Sequence, residues 1–168
     1  GTTTIGAISS YSFDLDACVK SPLNKVFFCE VIGTKGDMID TLFADFKDRL
    51  NIAKKYKSAN FIPAIAIHSP YSVHPFLVRE TLKLAREENL PVTSHFLESR
   101  EEFEWLHKDE GAFVEFFKNF LGQEQSVTKP MEFLNLFSNI KNLSFTHCVE
   151  ASSADFDKIK LLGASVNH

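Results

Sequence analysis

Phe61-Ile62-Pro63-Ala64-Ile65-Ala66-Ile67 is a short, almost unbroken apolar run, and with the segment after it this run decides the fold. A run of this length without polar alternation suits a strand buried on both faces. Pro75 is well placed at the first turn of a helix that runs to about Asn89. Pro91 to Phe96 then reads as a second strand. Strand, helix and strand in this order make one crossover unit of a parallel sheet.

The same alternation extends in both directions. Upstream, Thr2 to Ser9 is a β-branched strand, Asp14 to Lys20 a short helix with Asp14 as candidate cap, and Val26 to Ile32 another buried strand. Asp37 opens a long helix whose apolar positions Ile39, Leu42, Phe43, Phe46, Leu50 and Ala53 keep helical spacing. Downstream, Ser99 and Glu102 form a capping-box pair at the next helix start, which Gly111 breaks. Phe113, Phe116, Phe117, Phe120 and Leu121 form one apolar stripe, read together with Trp105 as core, and Gly122 stops that helix. Met131 to Phe137 is a short helix, Leu143 to Val149 a strand, Ser152 to Leu162 a helix, and Ala164 to His168 begins a last strand.

Six strands, each but the last followed by a helix, predict an α/β fold with a parallel sheet and right-handed crossovers. The material between Ser99 and Ile140 is an insertion after one strand, of the kind that shapes a barrel mouth or an oligomer contact. Gly1 precedes a strand directly and His168 falls inside one. A closed eight-stranded barrel needs two more strands, so residues 1–168 are expected to be the central part of a longer chain.

Composition narrows the function classes. Apolar residues make up 44% of the 168, which is ordinary for a globular domain, and the net charge is -4. The basic residues are dispersed apart from Lys54, Lys55 and Lys57 near a helix end, so no nucleic-acid partner is expected. No apolar run reaches membrane-spanning length, so no membrane partner is expected either. Cys18, Cys29 and Cys148 match neither a zinc ribbon nor a Cys-x-x-Cys pair, which makes a reducing cytoplasm the default.

Chemistry concentrates where strands end. His95, in Ser94-His95-Phe96-Leu97-Glu98-Ser99, falls at the carboxyl end of a buried strand, with Glu98 in the loop beyond. A neutral imidazole can ligate a divalent metal, and a nearby carboxylate can relay a proton from water to a leaving nitrogen. Taken alone, a hydrogen-bonded strand-end His beside a solvated Glu explains that spacing equally simply. Two further strands, however, also end in His: Thr146-His147-Cys148-Val149, and His68 in His68-Ser69-Pro70-Tyr71-Ser72-Val73-His74-Pro75. Equivalent ends of successive strands converge on one axis in a barrel, which puts the functional reading ahead. His74 suits a helix start, His107 a solvated helix face, and Cys148 a small buried residue. Glu30, polar within Phe27-Phe28-Cys29-Glu30-Val31, needs a partner or a substrate, or else sits at the strand end; both readings stand.

Gly1-Thr2-Thr3-Thr4-Ile5, His68-Ser69-Pro70-Tyr71-Ser72-Val73, His95-Phe96-Leu97-Glu98-Ser99 and Thr146-His147-Cys148-Val149 occur together in order and spacing. In this combination the chain resembles the amidohydrolase superfamily, in its branch of cytosine, guanine, adenosine-type and aminofutalosine deaminases and chlorohydrolases. Gly163-Ala164-Ser165-Val166-Asn167-His168 resembles that family's seventh strand. The resemblance implies a partial TIM (β/α)8 barrel, strands two to seven of eight. It makes His95 the metal ligand and Glu98 the proton-shuttling acid/base. It makes His147 a partner of the activated hydroxide or the substrate, and His68 and Glu30 substrate contacts. The implied cofactor is a divalent metal, zinc first and iron second. The implied reaction is hydrolytic deamination of a purine-like heterocycle, with a chlorohydrolase or cyclic-amidine hydrolase as the alternative. The family's first-strand His-x-His pair and eighth-strand Asp are absent from these residues, so catalysis is expected of the complete protein. A non-catalytic barrel segment that acts in binding or assembly is the reading from another class. The unpaired edge strands Thr2–Ser9 and Ala164–His168 would favour a homo-oligomer.

Overall fold

The computed structural model describes residues 1–168. Six strands form one sheet in the order β1-β2-β3-β4-β5-β6: Thr4–Ser9, Asn24–Val31, Phe61–Ile67, Val92–Phe96, Leu143–His147 and Ser165–Asn167. Every neighbouring pair is parallel. The order never reverses, as it would in a doubly wound nucleotide-binding sheet, so all crossovers run one way around. This is the sheet of a partial (β/α)8 barrel.

The helices are α1 (Leu15–Lys20), α2 (Ile39–Lys54), α3 (Pro75–Glu88), α4 (Arg100–Lys108), α5 (Phe113–Leu121), α6 (Pro130–Asn135) and α7 (Ser153–Leu161). The start expected at Asp37 is a single 3-10 turn, Gly36–Met38, before α2 proper. Asp14 stands at the α1 cap position, yet its carboxylate accepts from Ser9 Oγ (2.5 Å) instead of capping the helix. His74 does start α3, its ring accepting the Phe76 N–H (3.2 Å) with Pro75 at the first position.

Pro63 lies inside β3, a strand flanked on both sides. The Ile65 N–H donates to Pro91 O, so alternation aims the nitrogen of residue 63 at the same side, and pairing with β4 begins only at Ile65. The missing N–H of proline thus falls where no acceptor waits.

The core sits between the sheet and the helix layer. Phe96, Phe133, Phe137 and Phe145 pack ring against ring at centroid separations of 4.9–6.3 Å, all fully buried. Trp105 of α4 stacks on Phe117 of α5 at 4.8 Å. Two members of the Phe stripe depart from the expected core role. Phe116 and Phe120 stack on each other in the open, and Phe120 is 74% exposed. The helical stripe is real, but it is covered unevenly: Phe117 is fully buried, Phe113 and Leu121 are half-buried against the core, and Phe116 and Phe120 are left outside. On the opposite face of the sheet, which no helix covers, Ile8 and Ile62 are exposed.

Candidate active site

Backbone pairing brings three strand ends together. The His68 N–H donates to Val31 O (3.2 Å) and the His95 N–H to His68 O (3.0 Å), which stitches the carboxyl rim of the sheet from β2 to β4. The His68 and His95 rings meet edge to face at 5.5 Å, and the His95 and His147 rings stack at 5.1 Å. His68, His95 and His147 therefore share one face and one rim.

His147 reaches that face by a local distortion. In register, His95 pairs with Thr146, and Phe96 pairs with His147. A regular pleat would send the His147 side chain to the helix side, with Phe96. His147 instead has φ +76 and Cys148 φ +56, a left-handed pair that turns the imidazole inward onto His95. Left-handed backbone costs a non-glycine residue on the order of 1–3 kcal/mol and persists only where its surroundings hold it. The hold comes from the loop after β4: the Cys148 N–H donates to Phe96 O (2.8 Å) and the Glu150 N–H to Leu97 O (2.9 Å).

Glu98 completes the group. Its carboxylate lies 3.5 Å from His147 Nε2 and is 53% exposed, so it faces the open rim. His68 is oriented from behind: its Nδ1 sits 2.6 Å from Ser72 Oγ and 3.2 Å from Ser69 Oγ, which leaves Nε2 free. Glu30 is buried near the end of β2 and accepts from Ser10 Oγ (2.5 Å). Its burial is thereby satisfied within the protein.

Charge follows burial here. Burial holds the His95 imidazole below its ordinary pKa, with the neighbouring His68 and His147 acting in the same sense against Glu30 and Glu98. His95 is thus neutral near pH 7, the form that can ligate a metal. Its Nδ1 is buried with no hydrogen-bond partner. Arg49 Nη1, Thr81 Oγ1 and Trp105 Nε1 share that state, but His95 alone among the four lies between two other imidazoles. An unpartnered nitrogen on a neutral ring fits one corner of a divalent-metal site. No three His, Cys, Asp or Glu side chains of these residues gather as a full metal cluster. Cys148 is a buried thiol pushed up to about 11 by burial, then by Glu102 and Asp155, and is no nucleophile.

Three participants escape sequence reasoning in their present roles. Tyr71 stands edge-on to His68 at 5.9 Å and walls an apolar hollow of about 360 Å³ with Ile32, Met38, Leu42, Phe116 and Leu121. Ser72 orients His68, and a serine four residues beyond a strand-end His is the only hint of it in the chain. The third is Glu102. Half of the expected capping box forms, since Ser99 Oγ accepts the Glu102 N–H (3.3 Å). The Glu102 carboxylate does not return the bond to Ser99. It passes the cap and accepts the N–H groups of Leu97 (3.0 Å) and Glu98 (2.8 Å).

A sequential parallel sheet with imidazoles and a carboxylate on its carboxyl rim is the arrangement of a (β/α) barrel with a candidate site at its usual end. The chain belongs to the amidohydrolase family, whose model matches residues 1–167. It is 44% identical over 168 residues to an aminodeoxyfutalosine deaminase of Nitratiruptor, covering all of this chain and 41% of that protein. It is 31% identical over 165 residues to an adenosine deaminase of Helicobacter pylori, covering 95% of this chain and 39% of that protein. Among solved structures, aminofutalosine deaminase of H. pylori superposes with a TM-score of 0.90 at 27% identity, over 99% of this chain and 42% of that one. Guanine deaminase of C. acetobutylicum, at a TM-score of 0.70 and 21% identity, shares the fold. The chain thus spans about two fifths of the length of these relatives. No helix is long and apolar enough to cross a membrane.

Proposed function

We propose that the full-length protein is a metal-dependent deaminase of a purine-like heterocycle, with aminodeoxyfutalosine the first substrate to test and adenosine the second. One observation carries this: Glu98 and His147 sit 3.5 Å apart beside a neutral His95, on a rim where His68 also faces in. The order of substrates rests on the 44% identity to an aminodeoxyfutalosine deaminase over the whole chain. The apolar hollow beside His68 offers a wall for the non-polar part of such a ligand.

His95 would hold the metal, with the other ligands supplied from outside residues 1–168. Zinc or iron, when bound, supplies the Lewis acidity that brings a water's pKa toward ~7. Glu98 takes a proton from the attacking water as its oxygen bonds to the ring carbon that bears the amino group. The carboxylic acid so formed delivers that proton to the adjacent ring nitrogen. The remaining proton of that water, now on the added hydroxyl, then passes to the amino nitrogen, the carbon–nitrogen bond breaks with its electron pair leaving on nitrogen, and ammonia departs. The ring carbon keeps the oxygen as a carbonyl. His147, within reach of Glu98, stabilises the charge that develops on the attacking oxygen. His68, fixed by Ser72, and Glu30 line the substrate side. The setting is a reducing cytoplasm, supported by three unpaired cysteines.

Ammonia release by the zinc-loaded full-length protein tests the proposal. Glu98→Gln should lower kcat by ~10²–10⁴-fold while zinc content stays unchanged. Turnover near wild type would remove Glu98 from its role. An atrazine chlorohydrolase structure and a triazine hydrolase variant resemble this chain at 13% and 11% identity, which conveys the fold alone. Chloride release from a chlorotriazine, with no ammonia from either nucleoside, would favour that chemistry instead.

A further inference from the structure

We propose that Glu102 is the positioning residue of this site: its carboxylate clamps the turn that presents Glu98 and, through Leu97, the turn that presents His147. The inference rests on the deaminase reading for its kinetic consequence. Glu102 is 1% exposed, and both of its oxygens are taken, one by the Leu97 N–H (3.0 Å) and one by the Glu98 N–H (2.8 Å). A buried carboxylate with no cation among its partners is costly unless something requires it. What requires it is the backbone. Leu97 has φ +46, a conformation that leaves two successive N–H groups pointing inward with no sheet or helix partner. The carbonyl of that same Leu97 accepts the Glu150 N–H (2.9 Å) across the turn that holds His147 at φ +76. One side chain thus stands behind both the proposed proton shuttle and its imidazole neighbour without touching the open rim.

Glu102→Gln replaces an acceptor oxygen by an NH2 group that faces an N–H, so one clamp bond is lost at nearly constant volume. Displacement of a reacting group by about 1 Å costs on the order of 10²-fold in turnover. In the full-length zinc protein, kcat for aminodeoxyfutalosine should fall by about that factor, with KM within about twofold. Hydrogen exchange at the Leu97 and Glu98 amides should accelerate by about tenfold or more. Ser99→Ala removes the cap of α4 and keeps the clamp, so it should lower Tm while leaving kcat within about twofold. Where the Gln variant does not fold, Glu102→Asp keeps the carboxyl group and withdraws it, and should show the same exchange and kcat changes in weaker form. Unchanged amide exchange, or wild-type kcat, in a folded Glu102 variant overturns the proposal. A wild-type protein that deaminates nothing removes the deaminase reading, while the exchange measurement still decides whether the clamp exists.

Discussion

His95 and Phe96 are neighbours in the chain and belong to different regimes. Phe96 turns to the helix side, where it meets Phe133 at 6.3 Å and Phe145 at 5.8 Å in a fully buried aromatic layer. His95 turns to the open face, between His68 and His147. Each ring of the layer has apolar neighbours and contributes roughly 1.5–3 kcal/mol by burial. The rim gathers the opposite features: left-handed backbone at Leu97, His147 and Cys148, a buried carboxylate, and an imidazole nitrogen without a partner. Each of these lowers stability. They persist because the layer one residue away is over-determined, and this division is expected wherever a site departs from local rules.

Substitutions should separate the two regimes. On the rim, Glu98→Gln carries the largest effect, a loss of ~3–5 kcal/mol of transition-state stabilisation, the equivalent of a ~10²–10⁴-fold fall in turnover. Its half-exposed position makes it nearly silent in folding, within about 0.5 kcal/mol by urea denaturation. In the layer, Phe96→Ala should do the reverse. It leaves a cavity among Phe133, Phe137 and Phe145 and should cost about 3–5 kcal/mol of stability. Zinc-loaded protein that remains folded should keep its acid/base chemistry. A Phe96→Ala variant that kept its stability, or a Glu98→Gln variant that unfolded, would break the division.

How much of this can be read in the chain differs along the same line. The layer is legible. Phe61–Ile67 and the heptapeptide around Phe27 announce buried strands, and the parallel order comes from alternation with helices. The rim is legible in its residue types and less so in its geometry. His68, His95, Glu98 and His147 read as one site, yet no pattern of apolar residues reveals that φ changes sign at His147. For that reason the strand expected to run to Val149 ends at His147. The sequence leaves Glu30 open between a group that needs a partner or substrate and a place at the strand end, because its partner, Ser10, sits on the loop after another strand. Spacing pairs Ser99 with Glu102, and that pairing hides the further reach of the carboxylate to Leu97 and Glu98.

The buried carboxylate on the rim also makes stability depend on pH in an unusual direction. Burial pushes the Glu102 carboxyl up to about 7, against the two amides that favour its charge and with Glu98 adding to the rise. Between its ordinary value of 4.5 and about 7 the folded state holds the proton and the unfolded state does not. The stability that this group contributes is therefore present below pH 4.5 and lost as pH rises through about 7, by at most about 3 kcal/mol. Glu102→Gln removes the titration. The difference in unfolding free energy between wild type and variant should shift toward the variant from pH 5 to pH 7.5. A constant difference would mean that Glu102 titrates as an ordinary carboxyl.

The smallest expected effect lies within one helix and brings the comparison down to two side chains. Phe117 and Phe120 belong to the same apolar stripe of α5, three residues apart. Phe117 is 2% exposed and stacks on Trp105, whereas Phe120 is 74% exposed and touches mainly Phe116. Periodicity places both on one face of the helix, but periodicity carries no information about what covers that face. Phe117→Ala should cost about 3–5 kcal/mol, and Phe120→Ser less than about 0.5 kcal/mol. Urea denaturation of the full-length protein measures both. A loss above about 1 kcal/mol for Phe120→Ser would show that a surface outside residues 1–168, or a second copy, covers the stripe. In that case the membership of Phe120 in the core, expected from spacing, holds at the level of the assembly and not of this sheet.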